Sequence, residues 1–218
     1  MTVDYNKYAK TFAQSRRNMK WPELEYFFAQ VWREESVLDI ACGSGRLLEQ
    51  YKSYFWEFPQ KYLWIDISDW LIEQAQKLYS EQDFKIWNMN NIWDIVWDTT
   101  YDIIFCIAGL HHLENLEDRI KTLSEMSQAL KKWWKICMTN WSLHTGQNRQ
   151  KYKNSQIPNS KNIHNSYDYE IKIGEYMRFY HSFSLEELEY LAKETGVSIT
   201  ENRIFDTGRN SLTLLVKN

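Results

Sequence analysis

The chain has 218 residues, of which 44% are apolar and 25% are charged, and its formal net charge is −3. This composition excludes an intrinsically disordered chain, and the longest apolar stretch, residues 103–110, is far shorter than the roughly 20 residues that span a bilayer. The three cysteines lack a Cys-x-x-Cys spacing, which argues against a disulfide framework and against a zinc site. We therefore expect one cytoplasmic domain over residues 1–218, with no bound metal and no membrane contact.

Short apolar runs alternate with helical patterns along most of the chain. The first five runs are predicted strands: residues 36–41, 62–67, 84–89, 101–107 and 135–140. They are nearly continuous in apolar residues, as strands buried on both faces are, and the apolar residues between them recur at helical spacing. Ser184 and Glu187 form a capping box that starts a further helix, and Gly196 ends it. Strand-like runs at residues 197–205 and 211–217 close the chain, and the alternation predicts an α/β fold with a mostly parallel sheet.

Basic residues are concentrated in two segments. Residues 1–20 hold five Lys or Arg residues against one acidic residue, and residues 131–178 hold nine against three. Such segments on an acidic body fit either a rim that faces phosphate groups or a solvated arm and loop. Within the second segment, residues 144–175 are rich in Asn, Ser and Lys. They predict a long inserted loop or lid, because loops of this length in compact domains are usually functional or disordered.

The first predicted strand leads into the sequence DIACGSGR, residues 39–46. Gly43 and Gly45 allow the backbone to approach a ligand closely, and the start of the following helix favours negative charge. Asp66 ends the second predicted strand 21 residues after Gly45, a spacing that suits a carboxylate accepting hydrogen bonds from both ribose hydroxyls of a nucleoside. Asp39, four residues before Gly43, suits a cationic ligand better than a pyrophosphate. The pattern predicts a nucleoside-cofactor site, against the alternative of an ordinary tight turn.

These residues resemble the first motif and the ribose-binding acid of the class I S-adenosylmethionine-dependent methyltransferases. Asn88 and Met89 lie where members of that family often contact adenine. Ile107 ends a predicted strand at the position where members of the family contact the methionine part of the cofactor. The resemblance implies a Rossmann-like α/β fold: a mostly parallel seven-stranded sheet with one reversed strand and helices on both faces. It also implies S-adenosylmethionine as the cofactor. The residues it implies for binding are Tyr8, Asp39, Ala41, Cys42, Gly43, Gly45, Arg46, Asp66, Ile67, Asn88, Met89 and Ile107.

Three further segments resemble one branch of this family, the tRNA wobble-uridine carboxymethyl methyltransferases. They are an N-terminal helix or arm within residues 1–30, the paired-histidine sequence IAGLHHL at residues 107–113, and the sequence RFYHSF at residues 178–183. The resemblance implies methyl transfer to the carboxylate of a 5-carboxymethyl uridine in tRNA. Such a carboxylate is ionised at neutral pH, so the reaction needs no general base and depends on positioning and on exclusion of water. The residues implied at the catalytic site are Arg16, His111, Arg178, Tyr180 and His181.

Other functions fit the same sequence. The first motif is shared by methyltransferases of small molecules, so a small-molecule acceptor is one alternative, and a non-catalytic relative that binds RNA or a protein partner is another. A nicotinamide oxidoreductase is a more distant one, because Leu48 stands where a dinucleotide motif has its third glycine. Some members of the branch need a small activating subunit. His111 and His181 also fit structural roles, at a helix start and in the core.

The chain has 11 tryptophans but only 7 glycines, about half the usual glycine content. Nine of the tryptophans stand where the resemblance or the local sequence favours glycine: Trp32, Trp56, Trp64, Trp70, Trp87, Trp93, Trp97, Trp133 and Trp134. We hypothesise that the gene uses UGA as a glycine codon and that these nine residues are glycines read as tryptophan. Trp21 and Trp141 match the branch as tryptophan. The alternative is a protein that is rich in tryptophan by nature.

Overall fold

The computed structural model describes residues 21–31, 36–158, 160 and 163–218. Its helices are α1 (Pro22–Phe28), α2 (Arg46–Phe55), α3 (Asp69–Leu78), α4 (Trp93–Val96), α5 (Leu116–Ala129), α6 (Gly146–Tyr152) and α7 (Leu185–Glu194). Its strands are β1 (Val37–Ile40), β2 (Tyr62–Asp66), β3 (Phe84–Ile86), β4 (Tyr101–Ile107), β5 (Leu130–Trp141), β6 (Tyr167–Ile173), β7 (Tyr176–Ser182), β8 (Val197–Ile204) and β9 (Asn210–Lys217). Short 3-10 helices lie at Met89–Asn91, Leu110–His112 and Lys153–Ser155.

Seven strands form one sheet in the order β3-β2-β1-β4-β5-β9-β8. The pairs β1–β2, β1–β4, β2–β3 and β4–β5 are parallel, whereas β9 is antiparallel to both β5 and β8. This order confirms the predicted sheet with one reversed strand. β2 and β3 lie on one side of β1, and the chain then crosses to the other side to form β4. Open α/β sheets bind ligands at the carboxyl ends of the strands where the order reverses in this way.

Helices cover both faces of the sheet. On one face α5 and α7 contribute Leu123, Met126 and Leu188, and on the other α1 and α2 contribute Phe27 and Tyr51, all of them at most 2% exposed. Each such side chain contributes about 1.5–3 kcal/mol when it is fully buried. The helical spacing of these apolar residues therefore determines which face of each helix lies on the sheet.

Residues 144–175 are more regular than predicted. They contain α6 and β6, and β6 pairs with β7 in a separate antiparallel hairpin that joins Asp168 to His181 and Tyr169 to Tyr180 in register. Tyr169 and Ile171 alternate along β6 and pack with Leu143 and Tyr180 in a small third core. The segment was predicted as one long loop or lid, and α6 and β6 depart from a loop; the period-two pattern of β6 lies within a polar segment and is easily overlooked.

The boundaries of several predicted elements are confirmed and others shift. Ser184 caps α7, since its side-chain oxygen accepts a hydrogen bond of 3.0 Å from the backbone N–H of Glu187, and Gly196 follows with φ +70°. β3 ends at Ile86, earlier than predicted, and β5 begins at Leu130, earlier than predicted. The predicted N-terminal helix falls mainly on residues 1–20, outside the described part of the chain. Within the described ranges, no helix is long and apolar enough to cross a membrane.

Three of the nine questioned tryptophans have a left-handed backbone. Trp56, Trp97 and Trp133 have φ angles of 65°, 50° and 70° and are 89%, 73% and 67% exposed. Trp64, in contrast to these three, is fully buried within β2. Its indole N–H has no hydrogen-bond partner among the described residues. Trp32 lies outside the described residues. The three left-handed sites are those at which glycine is preferred on conformational grounds alone.

Candidate functional site

A cavity of about 390 Å³ opens at the carboxyl ends of β1, β2 and β4. Its walls bring together thirteen of the predicted site residues: Asp39, Ala41, Cys42, Gly43, Arg46, Asp66, Ile67, Asn88, Met89, Ile107, His111, Arg178 and Tyr180. Gly45 and His181 do not line the cavity, and Tyr8 and Arg16 lie outside the described residues. The cavity has the size of a pocket for a small organic ligand.

The turn between β1 and α2 forms the floor of the cavity. Gly43 has φ +58°, and a Cβ atom built on it would have no atom within 4 Å, so its backbone presents open space to a ligand. Gly45 has φ +80° and precedes α2, but a Cβ there would come within 3.2 Å of the Tyr79 ring. Gly45 is therefore a packing glycine behind the turn, whereas Gly43 lies at the ligand surface.

Asp39 lies at the closed end of the cavity and is 1% exposed. Burial, together with the negative charge of Asp66, raises the pKa of Asp39 well above its usual value. Among the described residues, its Oδ2 atom has no hydrogen-bond partner. A buried carboxyl group without a partner is costly unless a ligand supplies one, so this end of the cavity suits a cationic or hydrogen-bond-donating group.

Asp66 is fixed by the backbone around it. Its Oδ2 accepts a hydrogen bond of 2.9 Å from the N–H of Gly43, and its Oδ1 accepts one of 2.8 Å from the N–H of Ser68. Burial raises the pKa of Asp66, and these N–H groups and the positive charge of Arg178 act in the opposite direction. Because a carboxylate has about four lone-pair positions, both oxygens can still accept hydrogen bonds from a ligand.

The wall next to Asn88 and Met89 is formed by amide and acidic side chains. The Asn88 side-chain oxygen accepts from the N–H of Asn90, whose own amide donates to Asp118 at 2.9 Å. Asn115, at the start of α5, donates to the other Asp118 oxygen at 3.2 Å. These contacts join the end of β3 to α5 and hold this side of the cavity in place.

A second group of side chains that line the cavity is aromatic and basic. The Tyr180 ring stacks on Trp141 with centroids 4.9 Å apart and 7° between the planes. Arg178, 4% exposed, donates from Nη2 to Nε2 of His112 at 2.7 Å, and Nδ1 of His112 donates to the carbonyl of Phe179 at 3.3 Å. Because arginine is always a donor, these contacts assign a neutral His112 that accepts at Nε2. His112 thus orients the guanidinium within the cavity.

His111 lies beside this aromatic group. Its Nδ1 accepts a hydrogen bond of 3.2 Å from the backbone N–H of Trp141, and its ring centroid is 5.4 Å from that of Tyr180. The remaining ring proton is therefore on Nε2, which makes His111 a hydrogen-bond donor at the cavity wall. The residue is 1% exposed, so this donor position is fixed by packing.

His181 occupies a different place from the one predicted. It projects from the opposite face of β7 to Arg178 and Tyr180, and its two ring nitrogens contact Asp168 at 2.6 Å and Glu187 at 2.7 Å. It is 1% exposed and does not line the cavity. The structure therefore does not bring His181 together with Arg178 and Tyr180, because alternate residues of a strand point to opposite faces.

Several lining residues were not among the predicted site residues: Trp21, Trp87, Asn90, His112, Asn115, Asp118 and Trp141. His112 lies in the paired-histidine sequence, and Trp141 matches the branch as tryptophan, so the resemblance offered a signal for both residues. In the structure, His112 contacts Arg178 and Trp141 contacts His111, which are predicted site residues. Asn90 and Asp118, which form a hydrogen bond, are 28 positions apart in the sequence, so no local sequence pattern predicts their contact.

Residues 37–133 match the model of a family described as "Methyltransferase domain". The matched segment contains Asp39, the glycine turn, Asp66 and both histidines, which are the parts of the cavity described above. The segment that contains the cofactor motif and both histidines is therefore similar to that family, and the match covers just under half of the chain.

Known proteins resemble this chain to different extents. The tRNA (carboxymethyluridine(34)-5-O)-methyltransferase alkbh8 of Xenopus tropicalis is 27% identical over 152 residues, which are 67% of this chain and 23% of that protein, so the chain spans about a quarter of that relative. A S-adenosylmethionine-dependent methyltransferase of Clostridium acetobutylicum superposes with a TM-score of 0.68 at 14% identity, covering 98% and 99% of the two chains. A methyltransferase solved with the Trm112 activator of Haloferax volcanii gives 0.67 at 13% identity, covering 99% and 98%.

The cavity fits S-adenosylmethionine. The partnerless Oδ2 of Asp39 provides an acceptor for a positively charged group, and the open space above Gly43 admits a ligand against the backbone. The fixed Asp66 carboxylate has lone pairs left for ribose hydroxyls, and Asn88 and Met89 lie beyond it along the wall. Asp39, Gly43, Asp66 and Asn88 would therefore hold the cofactor.

The raised pKa of Asp39 predicts that cofactor binding releases a proton. A bound cation favours the ionised carboxylate, so a protonated Asp39 must lose its proton on binding, and affinity for S-adenosylmethionine rises as the pH rises toward the pKa of the free protein. Calorimetry in two buffers of different ionisation enthalpy measures this release directly. Asp39→Asn is the control and should bind weakly with no proton release; equal enthalpies for the unsubstituted protein in both buffers would contradict the prediction.

Proposed function

We propose that this methyltransferase transfers a methyl group from S-adenosylmethionine to the carboxylate of a 5-carboxymethyl wobble uridine in tRNA, in the cytoplasm. The observation that carries the proposal is the composition of the cavity: two buried aspartates, which form its cofactor end, and a buried, oriented arginine among aromatic rings, which forms its acceptor end. An arginine held in this way suits an anionic acceptor, since its fork matches a carboxylate.

In the proposed reaction the protein's residues mainly position and desolvate. S-adenosylmethionine supplies an electrophilic methyl group on a positively charged sulfur. Arg178, oriented by His112, holds one carboxylate oxygen of the acceptor, and the Trp141–Tyr180 pair provides an aromatic surface for the uracil ring. His111 donates from Nε2 on the same wall. An ionised acceptor needs no proton removed, so the rate depends on holding the two reactants in line and away from water.

A basic surface next to the acceptor end supports an RNA substrate. Between Glu125 and Asp168 the chain has seven basic residues and no acidic residue. Arg149, Lys151 and Lys153, on α6 and just after it, are exposed, and none of them forms an ion pair with another described residue. The α6 helix adjoins the cavity, because Tyr152 packs 6.5 Å from the ring of Trp141.

The comparisons support the same choice. The substrate named for the Xenopus tropicalis relative is carboxymethyluridine 34 of tRNA, although that protein is much longer than this chain. The Haloferax volcanii methyltransferase was solved together with the Trm112 activator, and we propose that this chain also functions with a small activating subunit. The alternatives are a small-molecule acceptor and a non-catalytic relative, and the experiment below separates them.

The proposal is tested with tritiated S-adenosylmethionine and bulk tRNA from cells that lack wobble-uridine methyl esters. We expect label in tRNA, and we expect mild alkali to release it as volatile methanol, because only an ester is cleaved in this way. Arg178→Lys keeps the charge but loses the fork, and it should lower kcat/KM about 10–100-fold. Label in tRNA that resists alkali, or methyl transfer only to small acids, would refute the proposed acceptor. Cofactor binding without any methyl transfer would indicate a non-catalytic relative.

The basic surface gives the same assay a second arm. The triple variant Arg149→Gln, Lys151→Gln, Lys153→Gln should raise KM for tRNA about tenfold and make the slope of log affinity against log salt shallower by roughly 2, since each phosphate contact contributes roughly 0.7 for single strands. The matched control removes three exposed lysines from other elements: Lys52, Lys77 and Lys193. Equal effects of both triples would mean that only net charge matters.

A further inference from the structure

Four ionisable side chains form a buried network outside the cavity. Nδ1 of His181 on β7 lies 2.6 Å from Oδ1 of Asp168 on β6, and Nε2 lies 2.7 Å from Oε2 of Glu187 on α7. The other oxygen of Glu187 is 3.4 Å from Nε of Arg119 on α5. Side-chain exposure is 1% for His181, 0% for Glu187 and 6% for Arg119, whereas Asp168, at 15%, is the member that reaches solvent.

The network is balanced in charge. Because both ring nitrogens of His181 face carboxylate oxygens, the geometry places a proton on each of them and makes the ring a cation. Two cations then neutralise two carboxylates. Burial alone would raise the pKa of Glu187, but the hydrogen bond from His181 and the charges of His181 and Arg119 outweigh it and lower that pKa. Removing one member leaves a buried charge without its partner, which is strongly unfavourable.

The network connects two segments that line the cavity. At one end, Nη1 of Arg119 donates to the carbonyls of Leu113 at 3.1 Å and Glu114 at 3.3 Å, and both residues line the cavity. At the other end, His181 belongs to β7, the strand that carries Arg178 and Tyr180 into the cavity.

We propose that Arg119 and His181 are positioning residues, which act through Glu187 to lock the β6–β7 hairpin to the 113–114 wall and so fix the position of Arg178 and Tyr180 in the cavity. The inference rests on the proposed function for the statement that the acceptor lies against the hairpin. Alignment of the reactants matters, because a misplacement of about 1 Å between them can lower a rate about 100-fold.

The coupling is tested by variants at one end with a readout at the other. Hydrogen–deuterium exchange is measured on the full chain for His181→Gln and for Arg119→Lys, which keeps the charge but replaces the separate Nε and Nη1 donors by a single nitrogen. We expect His181→Gln to speed exchange at residues 113–116 about tenfold, and Arg119→Lys to do so at residues 176–182. Binding of S-adenosylhomocysteine, measured calorimetrically, should stay within about threefold, and kcat with tRNA should fall about tenfold or more at nearly constant KM.

Thr195→Ala is the matched control, because it removes a 2.8 Å hydrogen bond from Thr195 Oγ1 to the Leu191 carbonyl in α7 without touching the network. It should lower the unfolding midpoint but leave exchange at both cavity walls unchanged. If each network variant affects exchange only around its own site, or if Thr195→Ala produces the same distant changes, the positioning role is refuted. The exchange readout needs no acceptor, so it decides this inference even if tRNA is not the substrate.

Discussion

Replacing Asp66 by alanine is expected to weaken S-adenosylmethionine binding by about 100-fold or more. The Asp66 carboxylate is buried and held by the N–H groups of Gly43 and Ser68 at 2.9 and 2.8 Å, so its remaining lone pairs are already aimed before the ligand arrives. Hydrogen bonds to charged groups contribute about 1.5–3 kcal/mol each, and two of them to a ribose would account for the expected loss. Calorimetric titration with the cofactor measures the effect.

Part of this loss comes from the protein itself. Without Asp66, the N–H of Gly43 loses its acceptor, and the turn that forms the cavity floor loses its link to β2. Asp66→Asn separates the two contributions, since the amide oxygen can still accept one backbone N–H but carries no charge. Asp69→Ala is the matched control: it removes an exposed acid three residues away, on α3, and should leave affinity within about twofold. Wild-type affinity in Asp66→Ala would refute the assignment of the cofactor end.

The cofactor end could be predicted from the sequence because its determinants are local. The glycine turn follows directly on β1, and Asp66 ends the next strand, so the parallel sheet brings Asp39 and Asp66 to one edge. A pattern of apolar runs is enough to define this part of the fold. Gly45 shows the limit of such reasoning, because its neighbour Tyr79 comes from a different part of the chain and makes it a packing residue.

The acceptor end was only partly predictable. Arg178, Tyr180 and His181 were grouped as one signature, yet the first two face the cavity and the third faces the buried network. This division follows from the period of a strand, and the strand itself was missed because its partner β6 lies in a polar segment. The partners of His181 are 13 residues before it and 6 after it, in separate elements, and charge balance among them exists only in the folded chain.

The second large effect is expected from the triple variant Trp56→Gly, Trp97→Gly, Trp133→Gly, which should be more stable than the unsubstituted chain. Each left-handed backbone costs a residue with a side chain about 1–2 kcal/mol, whereas glycine adopts it freely. Glycine also destabilises the folded chain by about 0.5–1 kcal/mol per site, because it loses more conformational entropy on folding. The three indoles are largely exposed, so little packing is lost, and the net gain is about 2 kcal/mol.

The surroundings of the three sites agree with this expectation. Trp56 follows α2, and its N–H donates to the Lys52 carbonyl at 2.9 Å, the position at which helices commonly end in glycine. Trp97 ends α4 with φ 50° and ψ −119°, a combination that is essentially restricted to glycine. Trp133 interrupts β5 with φ 70°. These conformations support the hypothesis that UGA codons, meaning glycine, were read as tryptophan.

Thermal unfolding and the codons test the hypothesis independently. A gain of about 2 kcal/mol should raise the midpoint by roughly 6 °C in a chain of this size. Trp70→Gly is the matched control, because Trp70 lies in the first turn of α3 with a helical backbone, where glycine should cost about 1 kcal/mol. A loss of stability in the triple variant would show that the indoles contribute packing that outweighs the strained backbone. UGG codons at residues 56, 97 and 133 would refute the misreading itself, whereas UGA there and UGG at Trp21 and Trp141 would separate the two classes of tryptophan at the level of the gene.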